Sequence, residues 1–178
     1  MIDFIANLDG NILLWIQENL RTDFLNPIVI FITSLGNAGA VWITAGAAAL
    51  FFPKYRKAGI LLLLVLLASY LIGNLFLKNM VMRPRPWVDV EGLKILISRP
   101  KDYSFPSGHT ASSIAAAVII YKTMPGWAGI LAVVLAVGIA CSRMYLGVHY
   151  PTDVLGGAAL GIIIALAILC LAQNAAWR

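Results

Sequence analysis

Between Lys57 and Lys78 the chain runs for 20 residues, Ala58–Leu77, without a charged side chain. A helix needs roughly 20 apolar residues to cross the hydrocarbon core of a bilayer. In lipid, every backbone polar group must find its partner inside the protein, and a helix achieves this within one segment. The composition extends the point to the whole chain. It is 61% hydrophobic and 12% charged, with a mean hydropathy of +0.87, against about 45–50% and about 25% in soluble domains. The expectation is an all-α, polytopic membrane helical bundle forming a single domain over residues 1–178.

Five spans are expected, at 27–52, 58–80, 107–121, 127–142 and 153–172, with an outer loop at 82–105. Loops of that length are usually functional, and EGLKILI (Glu91–Ile97) within it suits a short surface turn or helix. The third and fourth spans are short and rich in small residues, as expected of the closely packed inner part of a bundle. Residues 1–22 are too interrupted by Asp3, Asp9, Glu18, Asn7 and Asn11 to span. Ile5, Leu8, Ile12, Trp15 and Ile16 recur there at helical spacing. That pattern gives an amphipathic helix lying in the interface with Trp15 as anchor, or one packed on the protein itself. No basic n-region precedes it, so internal segments are expected to direct insertion.

The net charge of +5 resides in the connections between apolar runs. Without a basic stripe or patch, nucleic-acid binding is excluded and membrane lipids are the expected surroundings. Five spans place Lys54, Arg56, Lys57, Lys122 and Arg178 on one side and all eight acidic residues on the other. The acidic side has the larger raw count of Lys and Arg, but most of these lie in the long connection or in the candidate site. Lys and Arg in a short loop mark the cytoplasm, so the acidic side is expected to face outward. Cys141 and Cys170 lie in apolar runs near opposite membrane faces and are expected to be unpaired, buried small hydrophobes. No sequence feature fixes an oligomeric state.

Three polar stretches fall at the outward ends of the spans. SRMYLGVHYPTD (Ser142–Asp153) joins the fourth and fifth spans. Pro151 disfavours helix at Tyr150 and suits a first helical turn. His149 therefore lies just before the fifth span and Asp153 in its opening turn. From there the carboxylate can hold one ring nitrogen and leave the other as an electron-pair donor, as nucleophilic catalysis requires. PSGH (Pro106–His109) heads the third span. Gly108 allows close backbone approach there, and first-turn N–H groups with the Ser107 hydroxyl can hold an anion. His109 is placed to give a proton to a leaving oxygen. KNMVMRPRP (Lys78–Pro86) adds cations, with Arg85 held between prolines; a guanidinium presents a planar fork to phosphate oxygens.

Together, Lys78-x6-Arg85-Pro86, Pro106-Ser107-Gly108-His109 and Ser142-Arg143-x5-His149-x3-Asp153 resemble the signature of the type 2 phosphatidic acid phosphatase family. Bacterial acid phosphatases and vanadium haloperoxidases share that signature. The resemblance implies a phosphohistidine on His149, oriented by Asp153, with His109 protonating the leaving oxygen and then activating water. It assigns the phosphoryl oxygens to Lys78, Arg85 and Arg143, with Ser107 and Gly108. It implies no metal and no cofactor. Arg83 is an accessory that could reach a second phosphate or headgroup, and Ser142 a support of the loop. The expected activity is a lipid phosphatase acting on a lipid phosphate substrate. The compact layout is similar to undecaprenyl pyrophosphate phosphatases of the bacitracin-resistance type; phosphatidylglycerol phosphate and phosphatidic acid are the next candidate substrates. The alternatives are a lipid phosphotransferase on the same residues and a metal-dependent hydrolase using His109, His149 and Asp153 as ligands. A surrounding cluster of cations would repel the metal in the latter. A non-enzymatic transport subunit would instead line its spans with polar residues.

Overall fold

The computed structural model describes residues 2–174. Met1 and the expected topology marker Arg178 lie outside the described residues, as does the Ile5 side chain. All regular structure among the described residues is helical. Helix α1 (Ile2–Asn19) is followed by α2 (Leu25–Leu35), a single 3₁₀ turn (Asn37–Gly39) and α3 (Ala40–Leu50). Helix α4 (Arg56–Ser69) continues through a π-helical segment (Tyr70–Leu77) into α5 (Lys78–Val81). The one-turn α6 (Pro86–Asp89), then α7 (Gly108–Thr123), α8 (Gly126–Tyr145) and α9 (Pro151–Asn174) complete the chain.

Three stretches are long and apolar enough to cross a membrane: Arg56–Asp89, Gly126–Tyr145 and Pro151–Asn174. The pair Leu25–Leu35 and Asn37–Leu50, bent by 47°, makes a fourth if taken as one span. Exposed Leu71, Phe76, Leu131, Val134, Ile163 and Leu171 stud the outer faces of these helices. Such a large apolar exterior is a lipid-facing surface, and the protein is integral to the membrane.

Helix α7 has 16 residues, about 24 Å at 1.5 Å per residue, and it occupies the middle of the bundle. Its Ala111, Ala115, Ala116 and Ile119 are fully buried against α4, α8 and α9. Small residues let those backbones meet. A Cβ on Gly157 would lie 2.6 Å from the Ser107 carbonyl oxygen, and one on Gly161 2.5 Å from that of Ala111. The core joins Trp42, Leu62, Val65, Ile119, Ala136, Ile139 and Ile164. The Trp42 indole N–H donates to Ser113 Oγ at 2.9 Å, satisfying two buried polar groups that would otherwise be costly.

Helix α1 packs on the protein with a face rotated from its apolar stripe. Asp9, Leu13 and Ile16 are buried, while Leu8 and Trp15 point outward. Ile16 joins Tyr145, Leu146 and Val148 in a second cluster that also holds Ile95 and Ile97 from the long loop. EGLKILI is accordingly not helical: Glu91 and Gly92 turn, and the rest is irregular. The Leu96 amide donates to the Leu146 carbonyl at 3.4 Å. Cys141 and Cys170 are exposed and free, not buried as expected; both sit on helix faces turned away from the core, where lipid replaces protein as the apolar surrounding. Helix α8 runs on to Tyr145, so Arg143 lies in a last helical turn, where a cation suits the helix dipole, instead of in a loop.

Candidate active site

Four stretches of the chain meet at one end of the bundle: the α2–α3 break, α5 with the loop after it, the start of α7 and the α8–α9 connection. Lys78 begins α5 directly after the π-helical segment, a distortion common at functional sites. It is 4% exposed, and its ammonium is ion-paired with Asp102. Met82, in a left-handed conformation (φ 50°), ends α5, and Pro84 and Pro86 stiffen the chain around Arg85. The Arg85 guanidinium lies 3.1 Å (Nη1) from His149 Nε2. It also donates to the Val148 carbonyl at 2.7 Å and to Asp102 Oδ1 at 2.6 Å.

His149 follows the Gly147 turn (φ 74°) and is 1% exposed. Its Nδ1 faces Asp153 Oδ2 at 3.5 Å, just beyond hydrogen-bond length, and has no other partner. Asp153 is fixed independently of the imidazole. Ser104 Oγ donates to its Oδ2 at 2.5 Å, the Tyr150 amide donates to the same oxygen at 2.9 Å, and Arg83 Nη1 donates to Oδ1 at 2.7 Å. Burial pushes the His149 imidazole down to about 3, Asp153 opposing and the Arg85 and Arg143 charges adding to the fall. The ring is neutral at pH 7; because a guanidinium only donates, the Nε2 lone pair is the one that faces Arg85 Nη1. Burial works to raise the Asp102 carboxyl, but Lys78 and Arg85 outweigh it and hold it at about 2.

Arg143 Nη1 donates to Thr33 Oγ1 at 2.6 Å, and its Nε has no partner. Among the described residues no carboxylate is ion-paired with it. His109, in the first turn of α7, places Nε2 3.0 Å from Asn37 Oδ1. A cavity of about 890 Å³ joins these groups. Lys78, Arg85, Asp102, Gly108, His109, Arg143 and His149 line one part of it. The rest is walled by side chains such as Ile30, Ile43, Leu63, Leu66 and Leu67.

The structure therefore brings Lys78, Arg85, Gly108, His109, Arg143 and His149 to one cavity, with Asp153 behind His149. Ser107 is fully buried and does not line the cavity. Its amide donates to the Asp153 carbonyl at 3.1 Å, and its hydroxyl accepts from Thr110 at 2.9 Å. Arg83 departs from the expected headgroup contact. It spans Asp153 and Asp9, with Nη2 2.7 Å from Asp9 Oδ2, and stacks 3.9 Å over the Tyr150 ring, because two buried carboxylates hold it inward. Ser142 Oγ donates to the Ile139 carbonyl at 2.6 Å and supports the helix end. Among the described residues no three His, Cys, Asp or Glu side chains form a group that could hold a metal ion, so His109, His149 and Asp153 do not make one.

Asp102, Thr33, Asn37 and Asp9 were not legible as site residues. Each is an isolated polar residue with no fixed spacing to the three motifs, and only the fold carries it there.

Known proteins are similar to this chain in sequence and in fold. The chain is 36% identical over 137 residues to the undecaprenyl-diphosphatase of Sulfolobus acidocaldarius, covering 77% of this chain and 66% of that protein. It is 36% identical over 157 residues to phosphatidylglycerophosphatase B of Bacillus subtilis, covering 82% and 74%. The crystal structure of a transmembrane PAP2-type phosphatidylglycerolphosphate phosphatase from Bacillus subtilis superposes with a TM-score of 0.79 at 29% identity, covering 98% of this chain and 89% of that one. Residues 58–177, which hold all three motifs, match the family model described as PAP2 superfamily, and the chain belongs to that superfamily.

Proposed function

We propose that the protein is a lipid phosphatase that works through a phosphohistidine, without a metal, from the extracytoplasmic face. The observation that carries this reading is the two-part cavity. Its cationic part with two imidazoles suits a phosphoryl group, and its apolar part between the helices suits the chain of a lipid.

In the first step His149 Nε2 attacks phosphorus, the bond from phosphorus to the leaving oxygen breaks, and His109 gives that oxygen a proton. The Asp153 carboxylate stabilises the positive charge that develops on the His149 ring. Lys78, Arg85 and Arg143, with the Gly108 end of α7, hold the phosphoryl oxygens, the kind of positioning and electrostatics that supplies most of the catalysis in phosphoryl transfer. In the second step water gives its proton to His109, its oxygen bonds to phosphorus, and the N–P bond breaks. Ser107 shapes the turn that carries Gly108 and His109. Undecaprenyl diphosphate is the first candidate substrate, followed by phosphatidylglycerol phosphate and phosphatidic acid. The names of the two relatives support the first two of these. The outward orientation is supported by Lys54, Lys57 and Lys122, which line a separate cavity away from the site and lie in or within a turn of short connections of the kind that stay cytoplasmic.

The test is phosphate release from these three lipids in detergent with EDTA present. Release is expected to be unaffected by EDTA, abolished in His149→Ala, and inhibited competitively by vanadate. Residual turnover in folded His149→Ala would sink the mechanism. Transfer to an acceptor lipid without free phosphate would turn the assignment into a phosphotransferase.

A further inference from the structure

We infer that Asn37 is a positioning residue for His109, and that the break in the first span serves to set it there. The inference rests on the proposed role of His109 in proton transfer. It concerns a residue outside the 58–177 family match.

No proline lies between Ile28 and Phe52, and the break falls where Gly36, Asn37 and Gly39 suit a helix end. The helix stops at Leu35, and Ala38 (φ 51°, ψ 18°) and Gly39 (φ 70°, ψ 19°) both turn left-handed. The two halves are bent by 47°. A non-glycine residue in that region is uncommon, and such strain gathers at functional sites. Irregular backbone at membrane depth is tolerated where it lines a cavity, and Gly36, Asn37, Ala38 and Gly39 all line this one.

The break touches His109 at two points. Asn37 Oδ1 lies 3.0 Å from Nε2. At Gly36 a Cβ would stand 3.0 Å from both His109 Cδ2 and Ile139 Cγ2, so a larger residue would push the ring away. With Oδ1 toward the ring the carboxamide accepts, and the tautomer that fits this contact carries its proton on Nε2. In that tautomer the nitrogen left for proton exchange is Nδ1. As the imidazolium, His109 gives the Nδ1 proton to the leaving oxygen; as the neutral ring, it takes a proton from water on the same atom. The amide stays neutral throughout, so it fixes the ring without trapping its charged form. Lys78, Arg85, Arg143, His149 and Asp102, with the Tyr70 phenol, are the charged and titratable groups that share the cavity with His109.

The experiment compares Asn37→Ala, Asn37→Asp and His109→Ala with the parent protein in detergent, over a pH series, with thermal midpoints recorded. Asn37→Ala is expected to lower kcat about 10- to 100-fold with KM within about twofold, less than the roughly 100- to 10,000-fold that general acid–base catalysis supplies. Asn37→Asp, nearly isosteric and so the safer variant to fold, is expected to move the alkaline limb of the rate profile up by about one pH unit or more, because a carboxylate favours the imidazolium. Parent-like kcat and pH profile in both Asn37 variants, with His109→Ala inactive, would overturn the inference and leave the proposed function standing. A rise in KM alone, with the pH profile unmoved, would make Asn37 a substrate contact and equally overturn it. An active His109→Ala would remove the acid role itself, and the inference with it.

Discussion

Arg83 bridges Asp153 and Asp9, with 2.7 Å to each, and so ties the carboxylate behind His149 to the first helix of the chain. Thr152 joins the same group: its amide donates to Asp9 Oδ1 at 3.1 Å, and its hydroxyl accepts from Arg83 at 2.7 Å. Asp9 and Asp153 are almost wholly buried, so the guanidinium is their compensating charge. Removing one partner of a buried pair costs about 3–5 kcal/mol, because the other is left uncompensated. Arg83→Ala is expected to lose stability of that order, read as the thermal midpoint in detergent. Asp9→Asn, which leaves Arg83 its contact with Asp153, should lose about 1–3 kcal/mol. A parent-like midpoint for Arg83→Ala would mean that the network is incidental.

Asp102 stands where an incoming phosphoryl group would meet Lys78 and Arg85. Asp102→Asn is expected to tighten inhibition by inorganic phosphate at pH 7, since a competing anion is gone. Weaker phosphate inhibition would instead make Asp102 the group that orients the two cations. The same residue links stability to acid. Its folded pKa of about 2 lies below the about 3.9 of an unfolded Asp, so its stabilisation is present above that value and is lost as pH falls through about 2. The parent should therefore lose more of its thermal midpoint between about pH 4 and 2 than Asp102→Asn does.

The same reasoning applies to His149 at higher pH. Its folded pKa of about 3 lies below the about 6.5 of an exposed imidazole. The unfolded chain binds the proton first, so stability falls as pH drops from about 6.5 towards 3. His149→Gln should flatten that part of the stability profile. An unchanged slope would show that the parent ring is charged in the folded state at pH 5.

The contact between α7 and α9 is expected to be intolerant of one methyl group. A Cβ at Gly157 meets the Ser107 carbonyl oxygen at 2.6 Å, whereas at Gly126 nothing lies within 4 Å. Gly157→Ala should cost about 1–3 kcal/mol, the usual range for overpacking. It should also lower turnover, because Ser107 and Asp153 are bonded across this contact. Gly126→Ala should do neither. Equal thermal midpoints for the two variants would refute the packing argument.

The sequence by itself determined that the chain enters a membrane as helices. Ala58–Leu77 is long and uncharged, and hydrocarbon leaves its backbone no other partner. Motif order and spacing also determined which side chains to watch, because His149 and Asp153 flank a Pro that must start a helix. Tertiary structure decided what patterns of local spacing do not encode. Arg83, read as a cation free for ligand, is held by Asp9 from the far end of the chain. Asp102 and Asn37 reach the cavity although no periodicity marks them. Helix α1 buries the face of Asp9 and Leu13 in preference to the stripe of Leu8 and Trp15. The reason in each case is the same: a buried charge or hydrogen-bonding group takes the partner that folding brings near, and residues far apart in sequence carry no record of one another.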